Sequence, residues 1–548
     1  MMKPHGGYRP PRLLASEVLD GWASPGARGY RNLFGAAGAS EMYRGYLGQE
    51  NGEERTRDLL DRVSRRMAEP YPWPQPGDGA PAEENRTIPS GYVYLSQFVA
   101  HDLSFLSSTF PSINDPLLEQ QNLRTIALNL DTVYGGGPLD KPFVYRVPGA
   151  AGQPRIFLRL APVALDNPNG SPNSSFQERD LPRIGCPHLN GPDGHRAHGL
   201  TDVLIADPRN DAHPMLAQVL VLFHLLHNAV CLRLQGRGDG LADRDVFAAA
   251  RAIVTAVYVQ IIRKDLLGRL LNDDVRTFYE TSGDAPLERI AATAMPVEFS
   301  HAAFRCGHVM LRPGYRFNHD SLFGLRDIVQ TNSATLPESM PLDRAWLIDW
   351  SHFFEIGDTA PNYSRRIGPY YIPFLFDQRT FGTKDGAVQS LPHRDLLRGA
   401  SICMRSVPSL IRRIPQHLRQ GSPLLDDEAA LERAITDWLE SGSVPFSEED
   451  KQNLSKDPPL LFFILLEAAK TEKGERLGVL GSVIVAEVLY RALNNVILKD
   501  EDHARARDVF GGNPPDTMKD LIVWLADAWS LQDPAAGFIG SAHRLSAY

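Results

Sequence analysis

Apolar side chains along this chain recur mostly at intervals of three and four residues, the spacing that lines one face of an α-helix. The pattern predicts helices over residues 92–106, 214–235, 244–271, 300–310, 341–354, 393–405, 426–440, 458–469, 477–499 and 517–530. Strand-like runs are few and short: KPFVYRV (141–147) and RIFLRLA (155–161). No repeat of 20–50 residues is visible, which sets solenoids aside. The expected fold is mainly α, a large single body with long loops and very little β. Proline-rich stretches such as EPYPWPQPGDGAP (69–81) and DNPNGSPNSS (166–175) read as long ordered connections. Residues 1–85 read as an irregular N-terminal arm wrapped on a body spanning 86–548.

Composition narrows the class. The 548 residues carry a net charge of −9, with 43% hydrophobic and 22% charged residues. Such a chain lacks the broad basic face of a general nucleic-acid binder. Its four cysteines, Cys186, Cys231, Cys306 and Cys403, form no CxxC pair, so a zinc ribbon is excluded and a disulfide framework is not expected. The N-terminus, MMKPHGGYRPPRLL, has no apolar signal-peptide core. The most apolar window, MLAQVLVLFHLLHNAVCLRL (215–234), holds Gln218, His224, His227, Asn228 and Arg233. A bilayer tolerates these poorly, so a buried core helix is expected and no membrane span. The default location is the cytoplasm.

Four stretches carry candidate chemistry. In SQFVAHDLSF (96–105), Gln97 and His101 share a helix face, and histidine is the side chain best suited to move a proton near neutral pH. In RTIALNLDTVYGGGP (124–138), Thr125, Asn129 and Asp131 alternate with the Ala127 carbonyl. A hard cation needs such closely spaced oxygens, and Asp102 is an available further carboxylate. A solvated turn with capping side chains is the plainer reading. In ADPRNDAHPMLAQ (206–218), Arg209 precedes the most apolar helix and Asp211 is placed to cap it. A surface ion pair is the common fate of such an arginine. In FRCGHVMLRPGYRFN (304–318), His308 follows Gly307 in an apolar segment. Imidazole is a standard axial ligand to haem iron, although a core histidine is the commoner outcome. Walker, GxGxxG, HExxH and GxSxG patterns are absent from the sequence.

Taken in order, these stretches resemble the animal-type haem peroxidase family (the peroxidase–cyclooxygenase superfamily) in its bacterial branch. The anchors are QFxxHD (97–102), the loop at 125–135, DPRND (207–211), FRxGHxMxRPxYR (304–316) and LxRG (396–399), with residues 460–489 similar to the family's C-terminal region. The likeness covers roughly 85–500. It implies a peroxidase that uses H2O2 to oxidise phenols, small anions or a metabolite donor through a ferryl intermediate. By the same resemblance, His101 matches the distal histidine, Arg209 the distal arginine and Gln97 the distal glutamine. His308 matches the axial ligand to the haem iron, and Arg305 and Arg398 match partners of the haem propionates. Asp102, Thr125, Ala127, Asn129 and Asp131 match a calcium shell.

Departures from the family pattern refine these expectations. Ala100 and Ala212 stand where vertebrate enzymes carry ester-forming carboxylates, so non-covalent haem b is expected. His213 replaces a methionine that makes a sulfonium link in one relative; it either lines the distal rim or points into a loop. Asp395 stands where an asparagine usually accepts from the proximal imidazole. Asn129 removes one charge from the calcium loop. Arg305 occupies the position of the radical-forming tyrosine of the fatty-acid dioxygenases, which disfavours that activity. A haem-binding protein without turnover is the third alternative, and it has no need of Gln97, His101 and Arg209 together.

Overall fold

The computed structural model describes residues 29–35, 37–77, 79–105, 122–147, 155–164, 178–185, 201–237, 241–282, 287, 294–383, 388–402, 404–531 and 538–539. Over these residues the chain is mainly helical, with paired strands two to six residues long. Its centre is helix α3 (Pro214–Gly236), packed against α2 (Gly91–Leu103) and α4 (Asp243–Gln260). (α1, Gly52–Arg66, precedes them.) Leu216, Leu220, Phe223, Leu226 and Val230 of α3 are fully buried. Pro214 opens this helix at a position whose N–H has no partner inside a helix. Two helical stretches, Pro214–Gly236 and Asp243–Leu270, are long and apolar enough to cross a membrane. Both lie mostly inside the body, as core helices of a large protein do.

The predicted helix at 244–271 breaks into α4, a π-helical turn at Ile261–Leu266 and a last turn at Leu267–Leu270. The one predicted at 341–354 does not form. Asp343 and Asp349 each accept a backbone N–H two residues on, from Ala345 and Ser351, and start separate 3-10 turns at Arg344–Trp346 and Trp350–His352. Short acidic side chains thus compete with the continuous ladder. The two strand-like runs meet at a single bridge, Tyr145–Leu158, preceded by a 3-10 turn at Pro142–Val144. The segment 166–175, Cys186 and Cys403 lie outside the described residues.

The described part of the first 85 residues is more regular than the irregular arm expected from sequence. β1 (Tyr30–Arg31) pairs in parallel with β3 (Met295–Pro296). Helix α1 buries Leu59, Leu60 and Val63 and packs against α5 (Leu391–Ser401). β2 (Glu84–Pro89) pairs antiparallel with β4 (Tyr363–Arg365) and delivers the chain to the start of α2. There Gly91 N–H donates to the Phe353 carbonyl, and a Cβ at Gly91 would run into Phe354. Behind α5 pack two apolar helices, α6 (Leu460–Thr471) and, beside it, α7 (Val479–Asn494).

Candidate active site

Helix α2 is buried except along one stripe. Ser96, Gln97, Ala100 and His101 alone keep partial exposure, and they form two i, i+4 rows on a single face. Val93, one turn before Gln97, continues that face. A Cβ built on Gly307 would touch Val93 Cγ1 at 3.8 Å. The face carrying Gln97 and His101 therefore meets the segment carrying His308.

His101 is held in a defined tautomer. Asn210 Nδ2 donates to Thr132 Oγ1 at 2.8 Å and to the Thr132 carbonyl at 3.3 Å, which leaves Asn210 Oδ1 as an acceptor. That oxygen lies 3.0 Å from His101 Nδ1. Nδ1 accordingly carries the proton, and Nε2 presents a lone pair. Burial, then the Arg209 charge, pushes the His101 pKa down to about 3, against the opposing pull of Asp207 and the Asn210 bond. The ring is a neutral base at ordinary pH.

Arg209 does not point freely into open space. Its Nη2 donates to the His101 carbonyl at 2.9 Å and its Nη1 to the Ser104 carbonyl at 2.8 Å, closing the C-terminal end of α2. Asp207 takes its Nη2 at 2.6 Å and also pairs with Arg124 at 2.7 Å. Burial would raise the Asp207 carboxyl, but Arg209 and Arg124 outweigh it and hold it well below the usual range. Two guanidiniums share one carboxylate, so a positive charge is left over beside His101.

The segment carrying His308 is a 3-10 helix. The predicted helix at 300–310 is interrupted at Ala302, and Ala303–His308 continue with three residues per turn. In that geometry Arg305 and His308 stack in one column, and both reach Asp395 of α5. His308 Nδ1 lies 2.6 Å from Asp395 Oδ2, and Arg305 Nη1 donates to Oδ1 at 2.8 Å. The Tyr371 hydroxyl adds a third bond at 3.3 Å. Burial alone would raise Asp395, but His308, Arg305 and Arg394 hold it well below the usual carboxylate range. With Nδ1 donating, His308 Nε2 is a free lone pair, and 32% of the side chain stays accessible.

Positive charge is in excess here as well. Burial, then the Arg305 and Arg394 charges, pushes Arg398 down to about 9. The Tyr30 phenol, raised by burial, is pulled back by Arg209, Arg305 and Arg398 together. Tyr30 itself packs edge-on against His301 at 5.6 Å. An accessible imidazole lone pair with a surplus of buried cations suits haem, whose iron takes the nitrogen and whose propionates take the charge.

The loop expected to hold calcium is folded onto α2. Asp102 Oδ2 accepts Leu130 N–H at 3.0 Å and Oδ1 accepts Thr132 N–H at 3.1 Å. Burial, then the Asp131 charge, pushes the Asp102 carboxyl up to about 7. The Thr125 hydroxyl is buried without a hydrogen bond. Asp131 pairs with Arg251 at 3.3 Å. Asn129 is partly exposed and Ala127 buried. Two close carboxylates and an orphaned hydroxyl fit a hard cation, with Arg251 already meeting part of the charge. Among the described residues, no group of three or more His, Cys, Asp or Glu side chains offers another metal site.

Sequence reasoning missed Asn210, Asp207, Arg124, Arg394, His301 and Tyr30. Asn210 and Asp207 lie within DPRND beside Arg209, so the motif was visible while the direction of each side chain was not. Asp211 does not cap α3; it binds Arg183 at 2.7 Å and Ser333 N–H at 3.1 Å. His213 is the cap.

Residues 175–348 match the family model described as animal haem peroxidase. That segment, about a third of the chain, is similar to the animal-type haem peroxidases. The matched segment holds Arg209, His213 and His308. Thyroid peroxidase of Rattus norvegicus is 27% identical over 199 residues, 36% of this chain and 20% of the relative. The human protein is 27% identical over 198 residues, with the same shares. The chain thus spans about a fifth of the length of the curated relatives it matches. Peroxidase A from Dictyostelium discoideum shares the fold (TM-score 0.51, 14% identity, 92% of this chain and 94% of that one). So does a fatty acid alpha-dioxygenase of Oryza sativa (TM-score 0.51, 12% identity, 96% and 92%).

Proposed function

We propose that this chain is a haem peroxidase that reduces H2O2 and oxidises a small-molecule donor. The observation that carries the reading is the chain Thr132–Asn210–His101, which leaves His101 Nε2 an unprotonated base on the open face of α2. Bound at His308 Nε2, non-covalent haem b supplies the redox chemistry. The protein's own groups do the rest. His101 Nε2 takes a proton from one peroxide oxygen and returns it to the other. The surplus charge of Arg209 and Arg124 favours negative charge developing nearby. Asp395 orients His308 and makes its imidazole more electron-rich. Arg398 and Arg394 supply charge for the propionates, while Arg305 is largely engaged by Asp395. Calcium is proposed for Asp102, Thr125, Asn129, Asp131 and the Ala127 carbonyl, where it ties α2 to its neighbouring loop.

The dioxygenase reading has Arg305 against it. That position holds an arginine bonded to Asp395 instead of a tyrosine. Haem storage alone requires no base of fixed tautomer. The test is stopped-flow spectroscopy of the haem-loaded ferric protein. On the proposed reading the Soret band changes within seconds of adding H2O2, and His101→Ala slows that change about a hundredfold or more. A Soret band that stays unchanged overturns the reading.

A further inference from the structure

His213 uses both ring nitrogens. Its Nδ1 accepts the Leu216 backbone N–H at 3.2 Å, capping α3. A peptide N–H only donates, so Nδ1 carries no proton and Nε2 must carry it. Nε2 lies 3.1 Å from Gln97 Oε1 and therefore donates to it. The ring is buried, with Tyr94 packed edge-on at 5.3 Å.

This settles which way Gln97 stands. The oxygen and nitrogen of a glutamine amide are nearly alike in shape, and only a neighbour of fixed polarity distinguishes them. Here the fixed polarity comes from the helix end, relayed through one imidazole. The Gln97 NH2 group faces away from His213. Among the described residues nothing accepts a hydrogen bond from it, and Gln97 lies on the accessible stripe it shares with His101. If the amide flipped, two donors, the Gln97 NH2 group and His213 Nε2–H, would confront each other.

We propose that His213 is a positioning residue. It locks Gln97 with its NH2 group offered to the space beside His101, so that this space favours small ligands that accept a hydrogen bond, anions above all. The inference deepens the haem peroxidase reading and rests on it for its consequence, but the lock itself is a property of the protein alone. Two readouts separate them.

The test is a double-mutant cycle over wild type, His213→Asn, Gln97→Ala and the double variant. Asparagine is a strong N-cap, so α3 keeps its cap, but it is too short to reach Gln97. His213→Asp, which also caps, serves if the asparagine variant does not fold. The first readout is azide affinity of the ferric haem-loaded protein, followed at the Soret band. His213→Asn is expected to weaken azide about fivefold, the worth of one neutral hydrogen bond, and to have no further effect once Gln97 is alanine. The second readout is the urea midpoint of the purified chain, where the two substitutions are expected to be non-additive. Equal azide losses in both backgrounds, or no loss at all, overturn the anion proposal. Additive midpoints overturn the lock. A chain that takes up no haem but shows coupled midpoints keeps the lock and sinks the peroxidase reading.

Discussion

His308 and Asp395 are joined by a 2.6 Å hydrogen bond from imidazole Nδ1 to carboxylate Oδ2, and Arg305 grips the other oxygen of the same carboxylate. The 3-10 turn makes this possible by stacking residues three apart. An anionic acceptor draws the proton outward and leaves more electron density on Nε2 than a neutral acceptor does.

Asp395→Asn keeps a hydrogen-bond acceptor but removes its charge. Spectroelectrochemistry of the haem-loaded variant is expected to show a higher Fe(III)/Fe(II) potential. The rise should be on the order of 50 mV, since charge-assisted bonds exceed neutral ones by roughly 1 kcal/mol and a tenfold change is 59 mV for one electron. A potential unchanged or lowered would mean that Asp395 does not set the character of the ligand.

Desolvation and Arg209 keep His101 neutral, with its pKa near 3. A base with a lowered pKa is lost only as pH falls through that value. The second-order rate with peroxide is therefore expected to be flat from about pH 5 to 8. Asn210→Leu removes the acceptor that fixes the tautomer, and the rate should fall about tenfold or more with haem content unchanged. A wild-type rate that falls as pH drops from 7 to 5 would contradict the assigned state of His101.

The sequence was informative wherever a side chain's role follows from its own type and period. The face carrying Gln97, Ala100 and His101 could be read because a helix period fixes neighbours four apart. The 3-10 turn at Ala303–His308 could not, because over six residues a period of 3.0 and one of 3.6 look alike. Asp211 has better capping propensity than His213, yet Arg183 and Ser333 claim it. Arg209 could be read as a cation at the mouth of the most apolar helix, but its pairing with Asp207 and the carbonyls of His101 and Ser104 is a tertiary outcome. The arm could be read only in part, since the burial of α1 depends on partners such as Trp438, whose carbonyl accepts from Arg66 at 3.0 Å.

Ala100 lies on the accessible stripe of α2, and Ala212 is partly exposed just before the His213 cap. Both end in a methyl group and offer no atom for an ester. Acid–acetone extraction is expected to remove all of the haem from the wild-type protein. Ala100→Asp places a carboxyl on the stripe beside His101, and after exposure to peroxide part of its haem should resist extraction. Haem that stays with the wild-type polypeptide would require a covalent link from another residue.

Thr125→Val distinguishes a bound cation from an empty loop by the sign of its effect. The substitution keeps the shape and removes only the buried hydroxyl, which has no hydrogen bond. Without a cation, deleting an unsatisfied buried polar atom is neutral or stabilising. With a cation held by Asp102, Asp131 and that hydroxyl, the same deletion removes a ligand. Thermal unfolding in excess calcium is therefore expected to drop by roughly a few degrees in the variant, and the difference should vanish or reverse after chelation. Wild-type protein should itself lose stability on chelation, since Asp102 and Asp131 then repel each other in a buried loop. If chelation leaves the wild-type midpoint unchanged and Thr125→Val is no less stable in calcium, the loop is closed by Arg251 and the backbone alone.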